Sequence, residues 1–177
     1  MILAAGGHAR VVAETALASG YAASIAFLDD RPLTSVLGWP VIGPLSLAYE
    51  PSIKDRFSSA FVGIGDAALR LRWIDRLKLI GYTLPVLVHP TSWVSPSAQL
   101  GPCTAVFAQS AVQAQADIGC GVIINTGCSV DHQVLLGDGV HVCPGARLAG
   151  DVQVGSCTWI GIGSCVKQSI TIGSDVT

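Results

Sequence analysis

Residues 94–177 read, in consecutive sixes, VSPSAQ LGPCTA VFAQSA VQAQAD IGCGVI INTGCS VDHQVL LGDGVH VCPGAR LAGDVQ VGSCTW IGIGSC VKQSIT IGSDVT. Every six opens on Val, Leu or Ile, from Val94 to Ile172, and no residue is gained or lost between them. The fifth place is small or β-branched throughout, as in Thr104, Ser110, Cys128, Val134 and Ala146. Gly101, Gly119, Gly137, Gly155 and Gly173 recur every third six. A period of six inside a period of eighteen describes a coil with three flat faces, each six giving one short strand and one turn, the hexapeptide parallel β-helix. The aliphatic first residue points into the prism and the fifth shares that interior. Coils then stack at about 4.8 Å, the ordinary inter-strand spacing. The recurrent glycine implies a corner where a Cβ would obstruct the backbone.

Half of the 177 residues are hydrophobic and only 12% are charged. The stretch 91–116 carries no charge, yet its glutamines, prolines and serines and its period of six exclude a membrane span. So little surface charge suggests a flank covered by sister subunits. A net charge of −2 gives no basic surface for nucleic acid. The six cysteines show neither a CxxC pair nor zinc-ligand spacing, and the residues after Met1 are not expected to form a signal peptide. A reducing cytoplasm is the expected compartment.

Residues 1–88 read as alternating strands and helices, a small Rossmann-like α/β domain with a parallel sheet. Strands are expected at Met1–Ala5, Ser24–Leu28, Ser59–Ile64 and Tyr82–Val88, with helices over Ala9–Ser19 and Ala67–Ile80. The first helix offers Val11, Val12, Thr15, Leu17 and Ala18 for packing; the second offers Leu69, Leu71, Ile74, Leu77 and Leu79. Residues 31–51 form a loop with a short strand near Pro40–Ile42, and 89–93 is a linker to the prism at 94–177. Ligands of such sheets bind beyond the carboxyl ends of the strands. Three segments meet there: Gly6-Gly7-His8, Asp29-Asp30 and Gly65-Asp66. The glycine turn is not a full G-x-G-x-x-G, but Asp29 falls where a ribose-binding acid belongs in a dinucleotide unit. The convergence points to a ligand containing a nucleotide.

Of the four histidines, His132 holds the third place of its six, a turn position projecting outward, with Ala114 and Gly150 one coil to either side. His141 holds a sixth place, between Ile123 and Trp159. Zinc would need a third ligand that the prism does not supply. A Ser or Cys nucleophile would need an adjacent base and an orienting group, and no such constellation is readable. A general base needs only one positioned histidine titrating near neutrality, which suits acyl transfer from a thioester.

MILAAGGHARVV at 1–12, FLDD at 27–30, VGIGD at 62–66 and NTGCSVDHQVLLGDGVHVCPGARLAG at 125–150 resemble one group of bacterial sugar acetyltransferases. Its members join a Rossmann-like domain to a left-handed β-helix. They include sialic acid O-acetyltransferases and UDP-4-amino-sugar N-acetyltransferases, the NeuD/PglD group. The resemblance implies a homotrimer, with acetyl-CoA between neighbouring prisms, a nucleotide sugar on the N-terminal domain, and no metal. It implies His132 as the base for direct attack of a sugar amine on the thioester, in surface-glycan synthesis. His141 and Ile162 would contact acetyl-CoA, and Asn125 would line the site on the substrate side. Gly6, Gly7, His8, Asp29, Asp30 and Gly65 would contact the nucleotide sugar. O-acetylation of a sialic acid or related sugar is the alternative within the group; a non-catalytic nucleotide-sugar-binding or scaffold protein is the alternative outside it. Relatives often carry a carboxylate after the base, where this chain has Gln133, so a less basic imidazole or another partner is expected. Relatives also continue for another coil and a tail, so residues beyond Thr177, and some before Met1, are expected.

Overall fold

In the computed structural model, which describes residues 1–21 and 25–177, the chain forms two units, Met1–Pro85 and Val86–Thr177. The first is built on three parallel strands, β1 (Ile2–Leu3), β2 (Phe27–Leu28) and β5 (Phe61–Val62), in the order β2-β1-β5. Between β2 and β5 lie a small antiparallel hairpin, β3 (Ser35–Val36) with β4 (Trp39–Pro40), a 3₁₀ turn at Leu45–Tyr49 and the short helix α2 (Pro51–Arg56). The second expected strand begins at Ser24, which lies outside the described residues. The loop expected over 31–51 thus carries more structure than its Pro and Gly content suggests. Segments this short show no hydrophobic period.

Helix α1 (Gly7–Ala18) starts two residues earlier than expected and buries Ala9, Val12, Ala13, Thr15 and Ala16. Val11 and Leu17, expected to pack, are exposed. Close approach decides the face: a Cβ on Gly63 would lie 2.6 Å from the Ala9 Cβ, so only the small side of α1 can meet β5. Helix α3 (Ala67–Ile80) has the expected bounds, with Asp66 as N-cap accepting from the Leu69 N–H and Gly81 closing it in the left-handed region. Its buried face is Arg70, Trp73, Ile74 and Leu77, whereas Leu79 is 89% exposed.

The second unit is the parallel β-helix read from the sixes. Fifteen two-residue strands, β6 (Leu87–Val88) to β20 (Thr171–Ile172), follow at six-residue intervals and cycle through three parallel sheets. The sheet containing β6 also contains β9 (Ala105–Val106), β12 (Ile123–Ile124), β15 (His141–Val142) and β18 (Trp159–Ile160). Leu87–Val88 was expected to close the N-terminal sheet. It instead pairs with β9 in the prism, where Val88 takes the place of a first residue, while Thr83 bridges back to Ser59. Residues 89–93 are accordingly a turn and strand start of the first coil, and no linker separates Val88 from Val94.

First- and fifth-place residues form one core that includes Val112, Ile118, Ile124, Val130, Leu136, Val142 and Leu148. Its polar members are satisfied from coil to coil. Thr104 Oγ1 donates to the Gly119 carbonyl at 2.8 Å and accepts from the Val122 N–H at 3.1 Å. Ser110 and Thr158 repeat the pattern, so a buried hydroxyl costs little here. The recurrent glycines at 101, 119, 137 and 155 answer to crowding rather than to dihedral angle. A Cβ on Gly137 would lie 2.6 Å from the Ser156 backbone nitrogen of the next coil. Left-handed backbone belongs instead to the fourth place of the sixes, where Gln109, Gln115, Gln133, Asp151 and Cys157 alternate with Gly121, Gly127, Gly139, Gly145 and Gly163.

Gly137→Ala should therefore be destabilising by about 1–3 kcal/mol, the usual cost of overpacking. A lowered thermal midpoint in circular dichroism is the expected result. An unchanged midpoint would mean that the coils can spread without loss.

Candidate active site

His132 lies in the turn between β13 (Ser129–Val130) and β14 (Leu135–Leu136), exposed at one corner of the prism. Three neighbours define its posture. Gly150, its counterpart one coil on, lies directly against the ring: a Cβ there would come within 2.3 Å of Cε1 and 2.5 Å of Nε2. Asp131 Oδ1 accepts from the His132 backbone N–H at 2.8 Å and does not partner the ring. The ring Nδ1 is 3.2 Å from Gln133 Oε1, so the different partner that was expected for the imidazole is Gln133 itself.

Asn125, His141 and Ile162 lie elsewhere on the prism. Asn125 and Ile162 hold the corner turns after β12 and β18, and His141 lies in β15 of the same sheet. Asn125 Nδ2 is 3.1 Å from His141 Nε2, and His141 meets Trp159 edge-on at 4.2 Å between ring centroids. His141 is buried, while Trp159 and Ile162 are exposed. Within one chain the structure thus joins Asn125 to His141 and places both a full sheet away from the His132 corner. Trp159, the neighbour that the eighteen-residue spacing assigns to His141, meets its ring edge-on, a contact the sequence placed without naming Trp159 among the candidate site residues. The interior thiols are poor nucleophiles: burial pushes Cys128 up to about 11 and raises Cys143. Among the described residues, no three His, Cys, Asp or Glu side chains gather within reach of one metal ion, and no helix is long and apolar enough to cross a membrane.

In the α/β unit the three expected segments follow β1, β2 and β5, which are adjacent in one sheet. Gly6 is the N-cap of α1, and Gly7 and His8 form its first turn. Asp29 is committed to the protein. Oδ2 accepts from the Ala5 N–H and Arg31 Nη2, and Oδ1 accepts from the Arg31 N–H and Nε. Four donors fill the lone-pair sites of a carboxylate, so Asp29 braces the glycine turn from behind, and a ribose hydroxyl would have to displace one of them. The bond to the Arg31 side chain holds its carboxyl well below the usual carboxylate range. Asp30 Oδ1 accepts from the Leu45 N–H. Arg70, missed in the sequence because arginine normally marks a helix's wet face, is 1% exposed; its Nη1 donates to the Ile64 and Gly65 carbonyls.

The family profile of the PglD N-terminal domain matches residues 1–77. The acetyltransferase domain of PglB from Neisseria gonorrhoeae, solved with acetyl coenzyme A, is 43% identical, with a TM-score of 0.94 over 98% of this chain and 83% of that one. PerB from Caulobacter crescentus, solved with CoA and GDP-perosamine, is 39% identical, with a TM-score of 0.92 over 98% and 82%. The chain belongs to the NeuD/PglD-like family. A GDP-perosamine N-acetyltransferase of Escherichia coli O157:H7 is 27% identical over 148 residues, which are 83% of this chain and 66% of that relative's length.

Two outcomes follow. Gly150→Ala should swing the His132 ring away at little cost in stability, because a side-chain end yields more easily than backbone; an unchanged melt together with displaced His132 ring resonances in NMR is the expected result. The Asp29 contribution to stability is present above the ordinary carboxylate pKa of about 4 and is lost only as pH falls through its depressed folded value. Asp29→Asn should therefore lower urea resistance at neutral pH, and the gap from wild type should close only in strong acid.

Proposed function

We propose that this protein is an acetyl-CoA-dependent N-acetyltransferase that acts on the amine of a nucleotide-activated amino sugar, with His132 as general base. The carrying observation is the exposed imidazole, lying against Gly150 with Nδ1 3.2 Å from Gln133 Oε1, so that Nε2 is the ring nitrogen Gln133 does not engage. The amine nitrogen attacks the thioester carbonyl carbon directly, and Nε2 takes the proton as the N–C bond forms. Collapse of the tetrahedral intermediate breaks the C–S bond, and the imidazolium returns the proton to the departing CoA thiolate. No acyl-enzyme is needed, in keeping with the buried, weakly acidic Cys128 and Cys143.

PerB and PglB, whose structures hold CoA with GDP-perosamine and acetyl coenzyme A respectively, support this substrate class. The separation of His132 from Asn125, His141, Trp159 and Ile162 supports a homotrimer in which acetyl-CoA lies between one prism's His132 corner and its neighbour's His141 side. The α/β unit holds the nucleotide at its strand ends. There neither dihedral angle nor packing requires glycine at 6, 7 or 65, since a Cβ on any of them would meet nothing within 4 Å. Six cysteines outside any disulfide suit the cytoplasm, and the product would serve surface-glycan synthesis.

The test is CoA-thiol release with acetyl-CoA over GDP- and UDP-linked amino sugars, with free sialic acid included to detect hydroxyl transfer. His132→Ala should lower kcat/KM by about 10²- to 10⁴-fold while acetyl-CoA binding persists. Transfer within a few fold of wild type would remove His132 as the base.

A further inference from the structure

We propose that Gln133 is the positioning residue that sets the tautomer of His132, a role that rests on the proposed base function. A neutral imidazole has one N–H and one lone pair, and a base must present the lone pair to the substrate. The amide oxygen of Gln133, 3.2 Å from Nδ1, draws the N–H to that nitrogen and leaves the lone pair on Nε2. The same contact survives protonation. An imidazolium donates from both nitrogens, so Oε1 accepts before and after the proton moves, whereas the NH₂ end of the amide would oppose the charged ring.

The backbone places Gln133 for this task. It occupies the left-handed fourth place of its six, with φ +59°, which brings its side chain back beside the residue before it. The competing carboxylates are otherwise placed. Asp131 is bound to the His132 backbone N–H, and Asp151, whose own N–H binds the His132 carbonyl, follows Gly150 on the next coil. The preceding coil offers Ala114 and Gln115, neither of which titrates. Gln133 thus aligns the ring as a carboxylate would, without adding a charge to stabilise the imidazolium.

Two variants separate alignment from charge. Gln133→Gly removes the amide and keeps the backbone, since glycine fills this place at 121, 127, 139, 145 and 163. Gln133→Glu keeps the acceptor and adds charge. Long-range ¹H–¹⁵N correlation of the ring in the full chain should show the Nδ1–H tautomer in wild type and in Gln133→Glu, and growth of the Nε2–H tautomer in Gln133→Gly. The glycine variant should lose about three- to tenfold in kcat, the worth of one such hydrogen bond, with KM for acetyl-CoA unchanged. In Gln133→Glu the acid limb of kcat/KM should move up by about one pH unit, as a neighbouring anion favours the charged ring. A wild-type ring in the Nε2–H form, or a tautomer indifferent to Gln133→Gly, would overturn the proposal. If the tautomer follows Gln133 but His132→Ala keeps full activity, the base assignment fails and the hold of Gln133 on the ring stands.

Discussion

The backbone ladder between coils governs the second unit. Each strand pairs in parallel with the strand eighteen residues away, so every side chain lies directly beside its counterpart one coil on. That constraint turns a linear period into stacks. Aliphatic first places become a continuous core, and interior hydroxyls at 104, 110 and 158 find a carbonyl and an N–H on the next coil. It also leaves no slack: where the stack is tightest, at Gly119, Gly137 and Gly155, only a residue without Cβ fits.

The same ladder makes the prism a precise platform for chemistry. His132 rests against Gly150 because position 150 must lie beside position 132, and Trp159 rests on His141 for the same reason. Sites built on rigid repeats hold their geometry better than sites on loops. In the α/β unit the loops are braced from behind: Asp29 ties the end of β2 to the turn after β1, and buried Arg70 fastens the loop after β5. These groups hold the backbone that a ligand would meet, and three glycines leave its front open.

The family relationship and the geometry bear on different questions. Likeness to PglB and PerB along nearly the whole chain speaks for the type of reaction. The immediate surroundings of His132 belong to this chain, and they identify an amide as the acceptor at Nδ1. Helix α1 makes a parallel point within the fold. Its small residues face the sheet and two of its larger aliphatics face outward, because Gly63 admits only a close neighbour.

The sixes were legible because burial in a stacked coil demands an aliphatic residue at a fixed interval, and that demand is written directly in Val94 through Ile172. The prominence of His132 between small neighbours was legible for the same reason. Hidden from the linear pattern were contacts whose partners share no period: the commitment of Asp29 to Ala5 and Arg31, the burial of Arg70, and the reassignment of Leu87–Val88 to the prism. Sequence by itself determined the repeat and the candidate base. Only tertiary structure decided which carboxylates were already occupied and what faces each nitrogen of the imidazole, because hydrogen-bond geometry depends on where distant segments arrive.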